Sequence, residues 1–359
     1  MDDSKKKIVM VDWITCVIPC THSSTIFGGK IFKIQPDGEI VWTRDTAKQI
    51  TGSYDSNIQV QTSVPGESLH VSGNPVKFLQ GHNLFGSNDL VSLNYALLEN
   101  LREILDLRPS ELELAAWAVG GYPLSRIDLA TMFNLGSPAN VRNWLRQAEQ
   151  TATMSHRGRG QLTKGSTLYF GKNSRRWGAK FYAKGEEFHK NGHDALLEDA
   201  RLVDYASPML RYEVVTRTME LKRLGLDSAF SWEDFDKISN GIIDSTLERF
   251  NMGNVTALAI EQIDGLKPSL RGVLELWRTG YDVRGILPKT SFYRYRSQIM
   301  AVTGVDIATP KPSKNEGGPA WSDLVQPPIE LVPAQIPDWA IGTPLYFEPK
   351  KPLRLVGGD

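Results

Sequence analysis

The sequence predicts an α+β fold in which a central antiparallel sheet carries helices on one face and an active site on the other. Three segments alternate polar and apolar side chains with the period of two of a strand, and they are Ser125–Phe133, Gly178–Lys184 and Leu210–Thr218. Other segments repeat apolar residues at helical spacing, and these dominate after Leu224. If the three strands pair, one face of their sheet packs under helices and the other carries the polar groups.

The composition is that of a soluble globular protein. The chain has 359 residues, of which 41% are hydrophobic and 23% charged, and its formal net charge is zero. This length suits two domains of roughly 150 residues each. No apolar run approaches the ~18 residues that a membrane helix needs. The apolar start is interrupted by Asp12 and lacks a clean cleavage site, so it predicts a first strand and not a signal peptide.

The two cysteines indicate a reduced compartment. Cys16 and Cys20 would share one face of the first strand, but they stand too far apart along it to bridge easily. Two thiols are too few for a zinc site, and His22 alone does not complete one. We therefore expect a protein of a reduced cytosolic compartment with no membrane partner.

The first 80 residues are predicted to be rich in strands. A turn at Pro36-Asp37-Gly38 joins two of them into a hairpin. The strand candidates of this part are Ile31–Ile34, Glu39–Trp42, Ile58–Gln61 and Val76–Leu79. A polar loop carrying His82 follows, and a helix from about Asp89 to Leu107 has apolar residues at helical spacing.

The middle of the chain contains the predicted hairpin around which the sequence is organised. Its strands cover roughly Ser166–Gly171 and Gly178–Lys184, and the turn covers Lys172–Arg176. Ser137-Pro138 begins a helix before it, as an N-cap followed by an N1 proline. Further helices are predicted at Asp194–Tyr205, Trp232–Phe250, Pro268–Thr279 and within LPKTSFYRYRSQIMAV.

These elements suggest three regions. Residues 1–224 form a sheet-containing domain, with a β-rich part at 1–80 and a core at 80–224. Residues 225–308 form a helical domain, and residues 309–359 form a proline-rich extended tail or linker.

The predicted hairpin carries a phenol between two cations. Lys180, Tyr182 and Lys184 point to one face of its second strand, which suits attack on a phosphodiester. From Arg157 to Lys184 there are eight Lys or Arg residues and no Asp or Glu. In a neutral chain this predicts a local anion-binding surface, and DNA is the expected anion. The alternative is a solvated charged hairpin in which Tyr182 is a half-buried packing residue.

The other two strands place further chemical groups on alternate positions. Arg126 and Asp128 share one face of the first, and Arg211 and Glu213 share one face of the second. Convergence of three such strands predicts an enzyme site. The alternative is that each carboxylate forms a structural salt bridge with the arginine beside it.

Six motifs, in order from about Lys77 onward, resemble those of the replication initiators of filamentous bacteriophages, the gene II/gene X family. They are KFLQGHNLFGSNDL, SRIDLATMF, FYAKGEE, LRYEVVTRTMELKRLGL, KTSFYRYRSQI and IPDWAIGTPLYF. The middle three are also similar to the rolling-circle initiators of staphylococcal plasmids. Those motifs correspond here to Arg126-Ile127-Asp128, Tyr182-Ala183-Lys184 with Glu187, and Arg211-Tyr212-Glu213. The first ~75 residues show little similarity.

The resemblance implies a site-specific nickase and strand-joining enzyme of the histidine-hydrophobe-histidine (HUH) nuclease class. Such an enzyme starts rolling-circle replication of phage or plasmid DNA. The chain departs from that class because it has no His-hydrophobe-His triplet. Carboxylates would then hold part of the metal, which we expect to be Mg²⁺ or Mn²⁺. Asp128 and Glu213 are the first candidates, and His82 and Glu187 follow, although His82 alternatively is an ordinary loop histidine.

The resemblance also implies the roles of the basic face. Tyr182 is the expected nucleophile, with Lys180 and Lys184 favouring its phenolate and offsetting phosphate charge. Attack leaves DNA joined to Tyr182 through a 5′ phosphate and frees a 3′-OH for a polymerase. Tyr169 and Tyr212 are the alternative nucleophiles. The expected DNA-binding residues are Arg157, Arg159, Arg175, Arg176, Arg126 and Arg211.

Origin DNA, either single-stranded or as a supercoiled duplex, is the implied partner, together with a host helicase and polymerase. Two other functions are compatible with the same residues. One is a relaxase for plasmid mobilisation with the same chemistry. The other is an origin-binding regulator that does not cut DNA.

Overall fold

The computed structural model of the protein describes residues 7–163, 166–252, 266–278, 281–303, 307–308 and 331–352. Most of the predicted tail and the last residue of the predicted helix at Pro268–Thr279 lie outside the described residues.

Strands and helices alternate irregularly along the first half of the chain, as expected for an α+β fold. The elements up to the second long strand are β1 (Met10–Pro19), β2 (Gly29–Ile34), β3 (Ile40–Thr46), β4 (Lys48–Thr51), β5 (Asn57–Val64), β6 (Ser68–Gly73), α1 (Pro75–Gln80), α2 (Leu90–Ile104), α3 (Glu111–Val119) and β7 (Leu124–Asn134). The next are α4 (Pro138–Thr151), β8 (Ala152–Met154), β9 (Gly158–Arg159), β10 (Gln161–Thr163), β11 (Thr167–Phe170) and β12 (Trp177–Ala183).

The second half is mostly helical. Its elements are α5 (Lys184–Asn191), α6 (Asp194–Leu197), α7 (Ala200–Ala206), β13 (Met209–Arg217), α8 (Thr218–Leu224), a 3₁₀ turn (Ala229–Trp232), α9 (Phe235–Leu247), β14 (Phe250–Met252), α10 (Pro268–Arg278), α11 (Val283–Ile286), α12 (Lys289–Thr303) and β15 (Val332–Pro333).

One antiparallel sheet organises these elements. Within the described ranges it has ten strands, nine of them in the order β10-β11-β12-β13-β7-β1-β6-β5-β4, with β15 added to β7. The three strands predicted from alternation are the neighbours β12, β13 and β7 at its centre. The predicted α+β fold and the pairing of these three strands are therefore confirmed.

The main core lies on one face of this sheet. Ile127 and Leu129 of β7, Phe181 of β12 and Tyr212 of β13 all point into it. Residues of α2, α4 and α9 pack on the same core. Because side chains alternate along a strand, the residues between them must face the opposite surface.

That opposite surface is also partly covered, which the sequence did not predict. A second apolar cluster joins the loop after α1, the helices α5 to α7 and the C-terminal segment 331–352. Phe85 is at its centre and contacts the rings of Tyr205, Trp339 and Tyr346. Helices therefore lie on both faces of the sheet, and only part of the second face is open.

Further units lie beside the main sheet, among them a three-stranded sheet in the order β14-β8-β9. The strands β2 and β3 pair only with each other within the described residues, and their hairpin exposes Phe32 and Trp42. Residues of α10 to α12 share a separate small core that includes Leu274 and Phe292.

Two local predictions were wrong. Val76–Leu79 is not a strand but part of α1, because the Asn74 side chain caps this helix and Pro75 occupies its first turn. The predicted helix at Asp194–Tyr205 is two short helices, because Asp199 caps a new start at Arg201 N–H.

Candidate active site

Strand register places the predicted catalytic groups on one surface. Lys180 of β12 stands opposite Glu213 of β13, and Tyr182 stands opposite Arg211. Directly opposed residues of antiparallel strands point to the same face. This face is the one that turns away from the main core.

Glu213 is the centre of the site. Its side chain is fully buried, and its Oε1 accepts hydrogen bonds from the Tyr182 hydroxyl and from Arg211 Nε, the latter at 2.9 Å. Its Oε2 lies 2.5 Å from Lys180 Nζ. Tyr182 itself is only 7% exposed. The phenol is thus fixed against a buried carboxylate that is also paired with two cations.

The environment of Tyr182 raises the pKa of its hydroxyl. Burial is the main cause, and the negative charge of Glu213 adds to it. Lys180 Nζ and Lys184 Nζ lie 5.2 and 6.0 Å from the ring centroid. Each ammonium is already paired with a carboxylate, Glu213 or Glu187, so whether the two lysines favour the phenolate stays a prediction.

A third carboxylate, Asp12, joins the site from β1. Its Oδ1 accepts hydrogen bonds from Arg211 Nη2 at 2.6 Å, Asn83 Nδ2 at 2.6 Å and Asn74 Nδ2 at 2.8 Å. Burial opposes its ionisation, but Arg211 and the two lysines hold the pKa of Asp12 below its ordinary value.

The sequence analysis did not assign Asp12 to the site. An irregularity of register between Val11 and Trp13 lets this residue reach the site from an otherwise apolar strand. The available signal was a single charge inside an apolar segment, because such a charge must find partners when it is buried.

Asp128 forms the edge of the carboxylate group. Arg126 binds it with two hydrogen bonds, from Nε at 2.8 Å and Nη2 at 2.6 Å. Burial raises the pKa of Asp128 to about 6, with Arg126 opposing the rise and the charges of Glu213 and Asp12 adding to it. Both of the salt bridges considered from the sequence are therefore present, Arg126 with Asp128 and Arg211 with Glu213.

Lys184 is buried on the other side of Tyr182. It begins α5 instead of ending β12, and its Nζ binds Glu187 and donates to Asn83 Oδ1 at 2.7 Å. Burial lowers the pKa of Lys184, although Glu187 opposes this effect. Asn83 also accepts a hydrogen bond from Arg211 Nη1 through its backbone carbonyl, at 2.5 Å. One loop residue therefore contacts both buried cations and Asp12.

A family model described as the N-terminal part of a replication-associated protein matches residues 10–235. The chain belongs to this family of phage replication-associated proteins. It is 34% identical over 309 residues to the replication-associated protein of Enterobacteria phage I2-2, covering 83% of this chain and 88% of that protein. It is also similar to the solved rolling-circle replication initiator protein from Geobacillus stearothermophilus, with 13% identity, a TM-score of 0.31, and coverage of 71% of this chain and 89% of that one. Every site residue described above lies inside the range matched by the family.

Two of the predicted metal ligands of this replication-associated protein, Glu187 and His82, are described by contacts with residues other than Asp12, Asp128 and Glu213. Glu187 binds Lys184 and Asn191. The His82 ring packs edge-on against Phe85 at 4.7 Å, and its Nδ1 accepts from the Leu84 N–H at 3.3 Å. Burial lowers the pKa of His82 to about 4, so the ring is neutral. His82 therefore belongs to the second apolar cluster more than to the catalytic surface.

The structure does not bring four of the predicted DNA-binding arginines to Tyr182. Arg157 stacks on Trp177 at 4.1 Å, Arg176 binds Glu220 at 3.0 Å, and Arg175 is exposed in the turn. Trp177 and Tyr182 are five positions apart, which is about 16 Å along a strand. Arg159 donates to the carbonyl of Glu149 at 3.1 Å. Whether these residues hold DNA stays a prediction.

Among the described residues, no three His, Cys, Asp or Glu side chains are arranged so that they could hold a metal ion. Asp12, Asp128 and Glu213 nevertheless supply the carboxylate oxygens that hard divalent cations prefer. Each of them is bound by an arginine, so a cation would have to replace a guanidinium contact.

In the same described part of the chain, no helix is both long enough and apolar enough to span a membrane.

Proposed function

We propose that this phage-type replication-associated protein starts rolling-circle replication by nicking one strand of its origin DNA through Tyr182 and later rejoining it. The observation that carries the proposal is the hydrogen bond from the buried Tyr182 hydroxyl to Glu213. A phenol whose pKa is raised needs a base at the moment of attack, and Glu213 is in contact with its proton.

In the proposed step, the Tyr182 oxygen attacks phosphorus while its proton passes to Glu213. The bond from phosphorus to the 3′ oxygen breaks, and that oxygen takes a proton from solvent to become a free 3′-OH. The phosphorus–tyrosine bond conserves the energy of the phosphodiester. A later 3′-OH can therefore reverse the step, with Glu213 returning the proton, and rejoin the strand without ATP.

Protonation of Glu213 changes the charges around the phosphate. Lys180 and Arg211 are paired with Glu213 in the free protein. Once Glu213 is neutral, both cations lose that partner and can offset the charge that develops on the phosphate. The arrangement thus couples removal of the phenolic proton to stabilisation of the transition state.

We further propose that Mg²⁺ or Mn²⁺ supports the reaction. Asp128, with Asp12 beside it, would hold the cation, and the cation would offset negative charge on the scissile phosphate. Origin DNA is the substrate. In the bacterial cytoplasm a host helicase would unwind the duplex and a host polymerase would extend the freed 3′-OH.

The test is incubation of the protein with supercoiled DNA that carries its own origin, with Mg²⁺, with Mn²⁺ and with EDTA. Tyr182→Phe is compared with Tyr169→Phe, because Tyr169 stands opposite Lys180 on the same face but lies one strand away. We expect nicked circles and a covalent protein–DNA adduct with wild type and Tyr169→Phe, and neither product with Tyr182→Phe or in EDTA.

Other results would change the proposal. Nicking by Tyr182→Phe would make another tyrosine the nucleophile. Origin binding without nicking by wild type in either metal would favour a regulator that does not cut DNA. Full nicking in EDTA would remove the metal from the proposal and leave Tyr182 and Glu213 in place.

A further inference from the structure

The loop 81–88 contacts the proposed catalytic surface, and the C-terminal segment 331–352 contacts that loop. Tyr182 and Arg211 are buried, and Arg211 donates to the carbonyl of Asn83 in the loop 81–88 that follows α1. Asn83 is the contact between this loop and the site, because its side chain donates to Asp12 and accepts from Lys184 while its carbonyl accepts from Arg211. The position of three catalytic-surface side chains thus depends on one loop residue.

Gln80 fixes the shape of that loop. This side chain is 1% exposed, and its Nε2 donates to the carbonyls of His82 and Phe85, at 3.1 and 2.7 Å. Its Oε1 accepts from the backbone N–H of Phe347 at 2.9 Å. Residues 80 and 347 are 267 positions apart in sequence. One amide therefore joins the loop to the C-terminal segment of the chain.

The C-terminal segment also packs on the loop through aromatic rings. Phe85 lies 6.0 Å from the ring of Trp339 and 6.4 Å from that of Tyr346. Trp339 is held in turn by Arg201, whose guanidinium lies 5.1 Å from its ring centroid. The same segment is anchored to the sheet by β15, which pairs with the end of β7 beyond β1. Through these contacts the segment 331–352 packs across the loop, and we call this segment the strap.

We propose that the C-terminal segment 331–352 is part of the catalytic unit, and that Gln80 and Asn83 are positioning residues through which it sets Asp12, Lys184 and Arg211. The expected effect of the segment on nicking rests on the proposed function. The structural coupling of the segment to the loop does not depend on that function. The contacts described above join the strap to the loop, and Asn83 joins the loop to the site, so its effect on the site is proposed to pass through Asn83.

The kinetic test uses full-length Trp339→Ala, Trp339→Phe and Asn83→Ala, with Trp42→Ala as the matched control. Trp42 is an exposed tryptophan of the β2–β3 hairpin, outside the strap. We expect Trp339→Ala and Asn83→Ala to slow single-turnover adduct formation at saturating origin DNA by about tenfold or more, with affinity for DNA changed less than about twofold. Trp339→Phe should recover most of the rate because it restores a ring against Phe85.

A double variant tests whether the strap acts through Asn83. Effects at independent distant sites usually add, whereas effects transmitted through one residue do not. We expect Trp339→Ala combined with Asn83→Ala to be no slower than Asn83→Ala alone. Multiplied rate losses in the double variant, or a loss of affinity in place of rate, would overturn the assignment of Asn83 as the link.

Hydrogen exchange tests the coupling without any nicking assay. In Trp339→Ala we expect faster exchange of the amides of residues 81–88 and of α5, with unchanged exchange in β5 and β6. Unchanged exchange in the loop would refute the strap even if the variant nicked slowly. Faster exchange in the loop of a protein that never nicks would sustain the strap and refute the proposed function instead.

Discussion

The two ends of β12 carry cations from the same charge run, and they use them in opposite ways. At the Tyr182 end, Lys180 and Lys184 are paired with Glu213 and Glu187 and are largely or fully removed from solvent. At the Trp177 end, Arg176 binds Glu220 with 48% of its side chain still exposed. The members of this basic run that the structure describes therefore combine an internal ionic network with a surface patch.

The contrast between the two ends shows that the contribution of a cation to stability depends on its ion-pair partners and not on its neighbours in sequence. A buried ion without its counter-ion is strongly destabilising, whereas a surface pair contributes little. Some of the ion pairs at the buried end join distant parts of the chain, as Asp12 and Arg211 are 199 residues apart. The predictions below test this contrast, beginning with the largest expected effect.

Glu213→Gln should have the largest effect, because it removes the proposed base while keeping the size of the side chain. We expect single-turnover nicking to fall by about 10²- to 10⁴-fold, which is the usual contribution of a general base. Glu187→Gln is the matched control, since Glu187 pairs with Lys184 without bonding to the phenol. Equal losses in the two variants would show that charge balance matters and proton transfer to Glu213 does not.

Arg211→Met should show how strongly the buried end depends on its pairing. Arg211 is fully buried and contacts Asp12, Glu213 and Asn83, so its loss leaves Asp12 without its ion-pair partner and Glu213 with Lys180 alone. We expect the free energy of unfolding to fall by about 3–5 kcal/mol in urea titrations.

The matched variant at the exposed end is Arg176→Met, for which a loss of only about 0–1 kcal/mol is expected. Similar losses in the two variants would contradict the contrast between the ends of β12.

Asp128→Asn should change how stability depends on pH. The pKa of Asp128 is raised to about 6, so between about 4 and 6 the folded state binds more protons than the unfolded state. Its contribution to stability is therefore present at low pH and is lost as pH rises through 6. We expect the variant to gain stability relative to wild type between pH 5 and pH 7 in urea titrations. A constant difference across this range would show that Asp128 has an ordinary pKa.

Arg175→Ala and Arg176→Ala should have the smallest effects on catalysis. Both residues lie about 16 Å or more from Tyr182 along β12, so nicking at saturating DNA should stay unchanged. If the turn contacts phosphates, each variant lowers the slope of log affinity against log salt by about 1. A slope identical to that of wild type would assign the exposed end no role in DNA binding.

Part of this protein followed from its sequence alone. Alternation placed Lys180 and Tyr182 on one face of a strand, and Arg126 with Asp128 and Arg211 with Glu213 on the faces of two others. The helix start at Ser137-Pro138 was confirmed for the same kind of reason, because capping depends on residues next to each other. Local geometry of this sort needs no knowledge of the rest of the chain.

Secondary structure was ambiguous from the sequence where a segment carried patterns of both a strand and a helix. PVKFLQ contains apolar residues that suit a strand, but Asn74 and Pro75 start a helix there. Lys184 continues the alternation of β12, yet it begins α5. In both places the chain changes from one element to the next, and residue spacing alone does not mark the boundary.

Only the tertiary structure decided which groups are ionised, buried and paired. It brought Asp12 to Arg211, placed Asn83 over the site, and held that loop with a segment more than 260 residues away. It also turned the ring of His82 towards Phe85 and left Arg175 at the far end of β12. The physical reason is that desolvation and Coulomb interactions act through space, between side chains whose separation in sequence sets no limit on their distance in the fold.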